Sequence, residues 1–294
     1  MKIGIIGGGS IGLLLGSYLA DKHDVTIYIR REEQLNALQA HGIIRSNATS
    51  NFHVESAFLN ELSDEELLIV CVKQPHLSAV AKNIRKLNTK GTLVFLQNGM
   101  GHVPELQQFS QPVLLGVVEH GAYKENEYTV KHTGKGKIRL AAYKADENLL
   151  NTIVTQLSFP DFPVELVKDW ERLLSEKLVI NAVINPLTAI FDIKNGEVMT
   201  NFHIRNLAFQ LCEEASQVLG LNHEEQWIKI GKVAHNTRDN ISSMRKDLIE
   251  NRQTEIEAIS GYLLSGKLYS IPYTSFAYHS IKAMEEKKGI MKQR

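Results

Sequence analysis

Residues 2–12 read Lys2-Ile3-Gly4-Ile5-Ile6-Gly7-Gly8-Gly9-Ser10-Ile11-Gly12. An apolar run, Ile3 to Ile6, enters a glycine cluster, and a helical pattern, L-L-L-G-S-Y-L-A, leaves it. Gly7, Gly9 and Gly12 fall in the spacing G-x-G-x-x-G. The first glycine permits a tight strand-to-helix turn, the second lets a pyrophosphate approach bare backbone, and the third lets the helix pack closely on the strand. The helix that follows points unpaired N–H groups and its positive dipole end at the anion. The strand before and the amphipathic helix after supply the context this motif needs. The opening therefore predicts a dinucleotide-binding α/β domain.

Asp24–Ile29 reads as the second strand, ending at Arg30 and Arg31. That position faces the adenosine ribose in such a fold. An acid there accepts from a 2′-hydroxyl, whereas an arginine pairs with a 2′-phosphate. The arginines predict NADP. Glu32 and Glu33, which would reverse the inference, read as first-turn acids of the next helix. Residues 41–58 are polar and short-stranded, as expected of a connection at the sheet edge. Leu67–Val72 and Thr92–Leu96 are continuous apolar runs of the kind buried on both faces of a parallel sheet. Lys73 ends the first, either lining the cofactor cleft or solvated before a helix. Gln97-Asn98-Gly99-Met100-Gly101 ends the second. Asn98 offers a donor and an acceptor to a nicotinamide or substrate oxygen, and N-G is equally a turn pair.

Further strands are expected at 113–118, 128–132 and 137–141, with His132-Thr133-Gly134-Lys135-Gly136-Lys137 as a hairpin turn. His120 reads more readily as a packed histidine than as a proton donor. After a helix at 148–157 and a short strand Val164-Glu165-Leu166-Val167, the period turns helical. The chain is thus expected to hold a Rossmann-type domain, residues 1–167, followed by an all-α domain, residues 168–294.

Within Glu176 to Pro186, Lys177, Asn181 and Asn185 recur every four residues among apolar neighbours, which lines them along one face of a buried helix. Buried polar groups need partners or a ligand. Either a ligand site or an interhelical ladder meets that need, with Asn185 alternatively capping a helix begun by Pro186. Asn195-Gly196 reads as a turn. By pattern alone Ser243 is a helix cap and Glu255 a solvated acid.

The 33 basic and 33 acidic side chains cancel, which gives no electrostatic footprint for nucleic acid. Cys71 and Cys212 are the only cysteines, and their separation argues against a disulfide scaffold or thiolate metal site. No leader pattern opens the chain, and no apolar run is long enough to span a bilayer. The expectation is a cytoplasmic protein, monomer or homodimer, with no metal, nucleic-acid or membrane partner.

G-G-G-S-I-G at 7–12, the arginine after the second strand, V-K at 72–73 and Q-N-G-M-G at 97–101 combine with a distinctive second half. There stand K-L-V-I-N-A-V-I-N-P-L-T-A-I at 177–190, N-G at 195–196 and S-S-M…R-Q-T-E-I-E at 242–257. Together they resemble the ketopantoate reductase (2-dehydropantoate 2-reductase) family over essentially the whole length. The resemblance implies reduction of a small 2-keto acid, 2-dehydropantoate, to (R)-pantoate by NADPH, in pantothenate and coenzyme A biosynthesis. It places Lys177 as general acid and Glu255 as the essential acid. Asn98, Asn181, Asn185, Asn195 and Ser243 fall on substrate-contacting positions. Gly7, Gly8, Gly9, Ser10, Ile11, Gly12, Arg30, Lys73, Asn98 and Glu255 fall on the cofactor. Ser10 stands where the family often has alanine, and Arg31 leaves open which arginine holds the phosphate. Reduction of another 2-keto acid on the same scaffold, or a non-catalytic NADP-binding regulator, are the competing expectations.

Overall fold

A computed structural model of the 294-residue chain describes residues 1–46, 48, 51–87, 90–266 and 268–290. The strands are β1 (Lys2–Ile6), β2 (Asp24–Ile29), β3 (Ile43–Arg45), β4 (Asn51–Phe52), β5 (Glu55–Phe58), β6 (Leu67–Val70), β7 (Thr92–Phe95), β8 (Val113–Val118), β9 (Gly121–Lys124), β10 (Thr129–Gly134), β11 (Ile138–Lys144) and β12 (Val164–Leu166). Eight of them form one sheet in the order β12-β11-β8-β7-β6-β1-β2-β5. From β8 to β5 every pairing is parallel, with Ile3 opposite Val25 on one side and Leu67 on the other. β11 runs antiparallel to β8 and carries β12 parallel on its far side. The central strands β6, β7 and β8 are buried along their whole length, which is why they are written in Val, Leu, Ile and Phe, interrupted only by Thr92 and Gly116.

The helices of this unit are α1 (Ser10–Leu19), α2 (Glu32–His41), α3 (Leu77–Lys86), the single turn α4 (Val103–Leu106) and α5 (Glu147–Leu157). α3 buries Leu77, Val80, Ala81 and Ile84 and leaves its polar face to water, the i, i+3, i+4, i+7 stripe of a helix laid on a sheet. Asp146 caps α5 by accepting from the Leu149 backbone.

Two local expectations are corrected here. Residues 43–52 supply β3 and β4 to a separate four-stranded sheet, order β4-β3-β10-β9, and only β5 joins the edge of the main one. The 132–137 segment is not a hairpin: β10 pairs back antiparallel with β9, and the glycines carry the chain from the small sheet into β11 of the large one. Its composition suits a tight turn, and it serves a crossover between sheets.

The chain divides into two compact units. One comprises Met1–Gln97 and His102–Leu173; the other takes Asn98–Gly101 together with the chain from Leu174 onward. The second unit is helical. The 21-residue helix α6 (Trp170–Ile190) runs into it, followed by α7 (Glu197–Thr200), α8 (Phe202–Val218), α9 (His223–Asn236), α10 (Ser243–Ile249), a π-helical turn (Glu257–Gly261), α11 (Tyr262–Ser265) and α12 (Pro272–Lys287). Leu178, Val183, Leu187, Leu211, Ile230, Met244, Ile259 and Ile281 are among its core residues. Contrary to the sequence expectation, α6 is long and apolar enough to cross a membrane, but 72% of that stretch is buried inside the protein. It behaves as a core helix.

Asn185 does not cap a new helix either. α6 continues through Pro186 to Ile190, because the ring costs one backbone bond in a segment whose neighbours from Ala182 to Ala189 are all buried.

Candidate functional site

In the first unit the site is built on the glycine turn. The Gly7 backbone N–H donates to the Tyr28 carbonyl (2.9 Å), and Gly7 holds φ +116°. A Cβ on Gly12 would lie 1.9 Å from the Gly7 carbonyl oxygen, whereas a Cβ on Gly9 would meet nothing within 4 Å. Gly12 is thus demanded by helix–strand packing, and Gly9 by open space at the N-terminus of α1, where it is the N-cap. Gly8 is covered by Gln34, whose Nε2 donates to the Gly8 and Glu127 carbonyls, both at 2.8 Å. Ser10 Oγ accepts from the Lys124 backbone (3.2 Å), and Ile11 is half-buried on α1. The arrangement presents backbone N–H groups and a helix dipole to an anion. Gln34 carried no sequence signal, since a glutamine on a polar helix face is unremarkable until the fold brings it over the loop.

Arg30 and Arg31 part company. Arg31 is engaged by Glu127 and lies 3.7 Å from Glu33. Arg30 lies along the His76 ring, Nη1 to Nδ1 3.5 Å and Nη2 to Nε2 3.4 Å. Lys73, half-buried, precedes the 3₁₀ turn Gln74–His76. Burial holds the His76 pKa below the usual histidine value, and the charges of Arg30 and Lys73 lower it further. Arg30 and Lys73 thus set positive charge beside His76 at the carboxyl ends of β2 and β6, where open α/β sheets bind ligands.

The second unit gathers the remaining residues. Asn98 Nδ2 donates to Glu255 Oε2 at 2.9 Å. Glu255 is buried, not solvated. The preceding residue fixes it in place: Thr254 donates from its backbone N–H (2.8 Å) and its hydroxyl (2.7 Å) to Oε1 of the fully buried Glu285 on α12. The π-helical turn begins two residues after Glu255. Gly99, at φ +80°, packs so tightly on it that a Cβ would sit 2.2 Å from the Ala258 carbonyl oxygen. Met100 Sδ accepts from Ser175 Oγ at 3.6 Å. The four-residue segment 98–101 therefore touches both the Glu255 segment and α6, two residues before Lys177.

Along α6, Lys177 and Asn181 are half-buried and Asn185 is buried. Asn181 Nδ2 is shut off from water and has no hydrogen-bond partner among the described residues. The Asn195 backbone donates to the Asn240 carbonyl (3.1 Å) and its Nδ2 to Thr237 Oγ1 (3.0 Å), while its buried Oδ1 is left without a partner among the described residues. Ser243 is not the cap of α10. Ser242 is, accepting from the Arg245 backbone (3.2 Å), and its Oγ sits 2.7 Å from the Thr188 hydroxyl of α6. Ser243 is exposed at the first turn with its hydroxyl uncommitted to capping. Buried, unsatisfied amide atoms are costly in a native protein, and a polar ligand is one partner that can complete their bonding. A lysine ammonium and the Asn181 amide N–H can donate to a substrate oxygen, the Asn195 amide oxygen and a buried carboxylate can accept from a hydroxyl, and a lysine can deliver a proton.

The family described as "Ketopantoate reductase PanE/ApbA" matches residues 3–145, and its C-terminal counterpart matches residues 169–285. The chain is 43% identical over 293 residues to the 2-dehydropantoate 2-reductase of Bacillus subtilis (strain 168), covering 97% of this chain and 98% of that protein. It is 34% identical to the 2-dehydropantoate 2-reductase of Listeria innocua, covering 99% of each. Among solved structures, a probable 2-dehydropantoate 2-reductase from Bacillus subtilis superposes with a TM-score of 0.87 at 40% identity, covering 97% of this chain and 100% of that one. D-mandelate dehydrogenase in complex with NADH and anilino(oxo)acetate shares the fold, at a TM-score of 0.91 and 22% identity, over 98% and 100%.

Proposed function

The chain belongs to the ketopantoate reductase family of oxidoreductases, and from that premise we propose that it reduces the C2 ketone of 2-dehydropantoate to (R)-pantoate with NADPH. The product feeds pantothenate and coenzyme A synthesis. The observation that carries the reading is Asn181 Nδ2, buried without a partner among the described residues one turn beyond Lys177 on the same helix. A substrate oxygen supplies what that amide lacks.

The residues fit the cofactor. The open face at Gly9 and the start of α1 suit a pyrophosphate, and Arg30, which unlike Arg31 pairs with no carboxylate among the described residues, suits a 2′-phosphate. When bound, NADPH supplies the hydride. Negative charge then grows on the former carbonyl oxygen. The Lys177 ammonium stabilises that charge and delivers the proton that completes the alcohol. Asn181, Asn185, Asn195 and Ser243 orient the carboxylate and hydroxyl groups of the substrate. Glu255, steadied by Asn98 and Thr254, accepts from the substrate hydroxyl. In this assignment residues 1–167 hold the cofactor and residues 168–294, with Asn98, hold the substrate.

The test is NADPH consumption with 2-dehydropantoate, compared with 2-oxoisovalerate, which lacks the hydroxyl, and with NADH. Turnover specific to NADPH and 2-dehydropantoate, lost by a factor of about 10²–10⁴ in Lys177→Ala, is expected. Turnover only on another keto acid overturns the substrate assignment, and tight NADPH binding without turnover on any keto acid returns the regulator.

A further inference from the structure

Of the two residues that α2 buries, Leu38 is apolar and Gln34 is not. A buried carboxamide is costly unless it is bonded. Gln34 Nε2 gives its hydrogens to two carbonyl oxygens, of Gly8 and of Glu127, each at 2.8 Å. Neither partner can donate, so the amide nitrogen and not the amide oxygen faces them. The side chain thus joins the glycine turn to the turn between β9 and β10. It also leaves no room for a side chain at residue 8, where a Cβ would stand 2.6 Å from Nε2.

The Gly8 carbonyl shares a planar trans peptide with the Gly9 N–H, and in such a unit the C=O and the N–H point in opposite directions. A donor that holds the oxygen therefore sets the N–H as well, aimed away from Gln34. That N–H has no acceptor among the described residues, and Gly9 borders open space. Glycines on both sides give this peptide unusual rotational freedom, which the bond from Gln34 removes.

We propose that Gln34 is a positioning residue for the nicotinamide dinucleotide. It locks the Gly8–Gly9 peptide so that the Gly9 N–H is presented to the pyrophosphate, with the Glu127 carbonyl as the second anchor of its amide. This rests on the placement of the pyrophosphate at the glycine turn proposed above. NADPH and NADH carry the same pyrophosphate, so Gln34 strengthens both alike and takes no part in choosing between them. It acts through the Gly8–Gly9 peptide, so its effect lies in cofactor binding and not in the chemical step.

The test compares the whole protein as wild type, Gln34→Met and Gln34→Asn. Methionine keeps the length and loses both donors. Asparagine keeps the amide but withdraws it by one methylene, and it serves in case the methionine variant does not fold. Equilibrium titration with NADPH and with NADH is expected to show each variant weakened by about tenfold, the value of one charge-assisted bond, with the ratio between the two cofactors unchanged. Steady-state rates are expected to show KM for NADPH raised and kcat at saturating cofactor preserved. If the variants melt earlier in denaturant yet bind both cofactors as wild type does, Gln34 only packs α2 on the turn and the inference falls. A loss confined to NADPH, or a fall in kcat at saturation, overturns it as well. Gly9→Ala separates the premise from the inference. If Gly9→Ala binds as wild type does, the pyrophosphate lies elsewhere and both fall. If Gly9→Ala loses the dinucleotide and the Gln34 variants do not, the placement of the pyrophosphate stands and the role of Gln34 falls.

Discussion

Asn98 and Glu255 are 157 residues apart in the chain and joined by a hydrogen bond of 2.9 Å, the amide nitrogen donating to the carboxylate. The bond ties the 98–101 segment, itself part of the helical unit, to the residue two before the π-helical turn. It also fixes the identity of both partners, since an amide can donate here and a second carboxylate cannot.

A bond to a charged group is worth about 1.5–3 kcal/mol. Asn98→Ala should therefore lower kcat/KM for the keto acid by about ten- to a hundredfold. Asn98→Asp should do more. Two facing carboxylates raise one another's pKa, so its kcat/KM should fall further as the pH rises through the carboxylate range. A pH profile of Asn98→Asp parallel to that of wild type would show that the bond does not matter to turnover.

Gly9 and Gly12 separate binding from folding. A methyl at Gly9 meets nothing within 4 Å, whereas one at Gly12 collides with the Gly7 carbonyl. Gly9→Ala should cost only about 1 kcal/mol, the usual effect of alanine at an N-cap, yet weaken the dinucleotide severely because the open space is where its pyrophosphate must come. Gly12→Ala should unfold or strongly destabilise the first unit with or without cofactor. Denaturant melts beside NADPH titrations decide it, and a Gly9→Ala protein with wild-type affinity would contradict this placement of the pyrophosphate.

These glycines were legible in the sequence because each acts on its immediate neighbours. The parallel core strands were legible for the same reason, since burial on both faces leaves an unbroken apolar run. What was hidden is what depends on distant partners. Arg30 and Arg31 are equivalent as letters and differ only because Glu127, remote in sequence, claims Arg31. Gln34 matters only once α2 carries it over Gly8. The glycines at 134 and 136 announce a turn but not which sheet the chain enters next. The pattern points to Ser243 as the cap, and only the packing of Ser242 against the Thr188 hydroxyl and the Arg245 backbone shows that Ser242 is the residue that caps.

The support under Glu255 is a prediction of its own. Glu285 Oε1 accepts both the N–H and the hydroxyl of Thr254, in a site closed to water. Thr254→Ser keeps the hydroxyl and should keep most activity. Thr254→Val keeps the shape, leaves the carboxylate short of a donor, and should cost about 1–3 kcal/mol of stability. If Glu255 is held in register by this bond, Thr254→Val should also raise KM for the keto acid while the affinity for NADPH is unchanged. Equal losses in Thr254→Ser and Thr254→Val would point to packing rather than to the hydrogen bond.

Acid should loosen the first unit through two buried histidines. Tyr18 OH and His132 Nδ1 are 2.9 Å apart, His132 Nε2 and His120 Nδ1 are 3.1 Å apart, and the Gly136 N–H donates to the same His120 nitrogen. His120 also stacks on Phe162, centroids 4.1 Å apart. Because the backbone N–H points at His120 Nδ1, that nitrogen is an acceptor. His132 therefore donates to it from Nε2 and accepts from Tyr18 at Nδ1, so both rings are neutral. Burial, with the His132 charge second, lowers His120 to about 4. Burial lowers His132 as well, where Arg45 and Lys135 act with it while the Gly134 backbone and Asp161 oppose it. A depressed histidine pKa means that the unfolded chain binds more protons than the native one between about pH 4 and 6.5. Stability should then be complete above about pH 6.5 and decline as the pH falls toward 4. His102, also buried and lowered to about 4 by burial, adds to the same window. In denaturant melts across that range, His120→Phe should be less stable at neutral pH, because it strips the acceptor from Gly136 and His132. Its stability should nonetheless fall less steeply with acid than that of wild type. An unchanged slope would assign the acid loss to His102 or to the carboxylates instead.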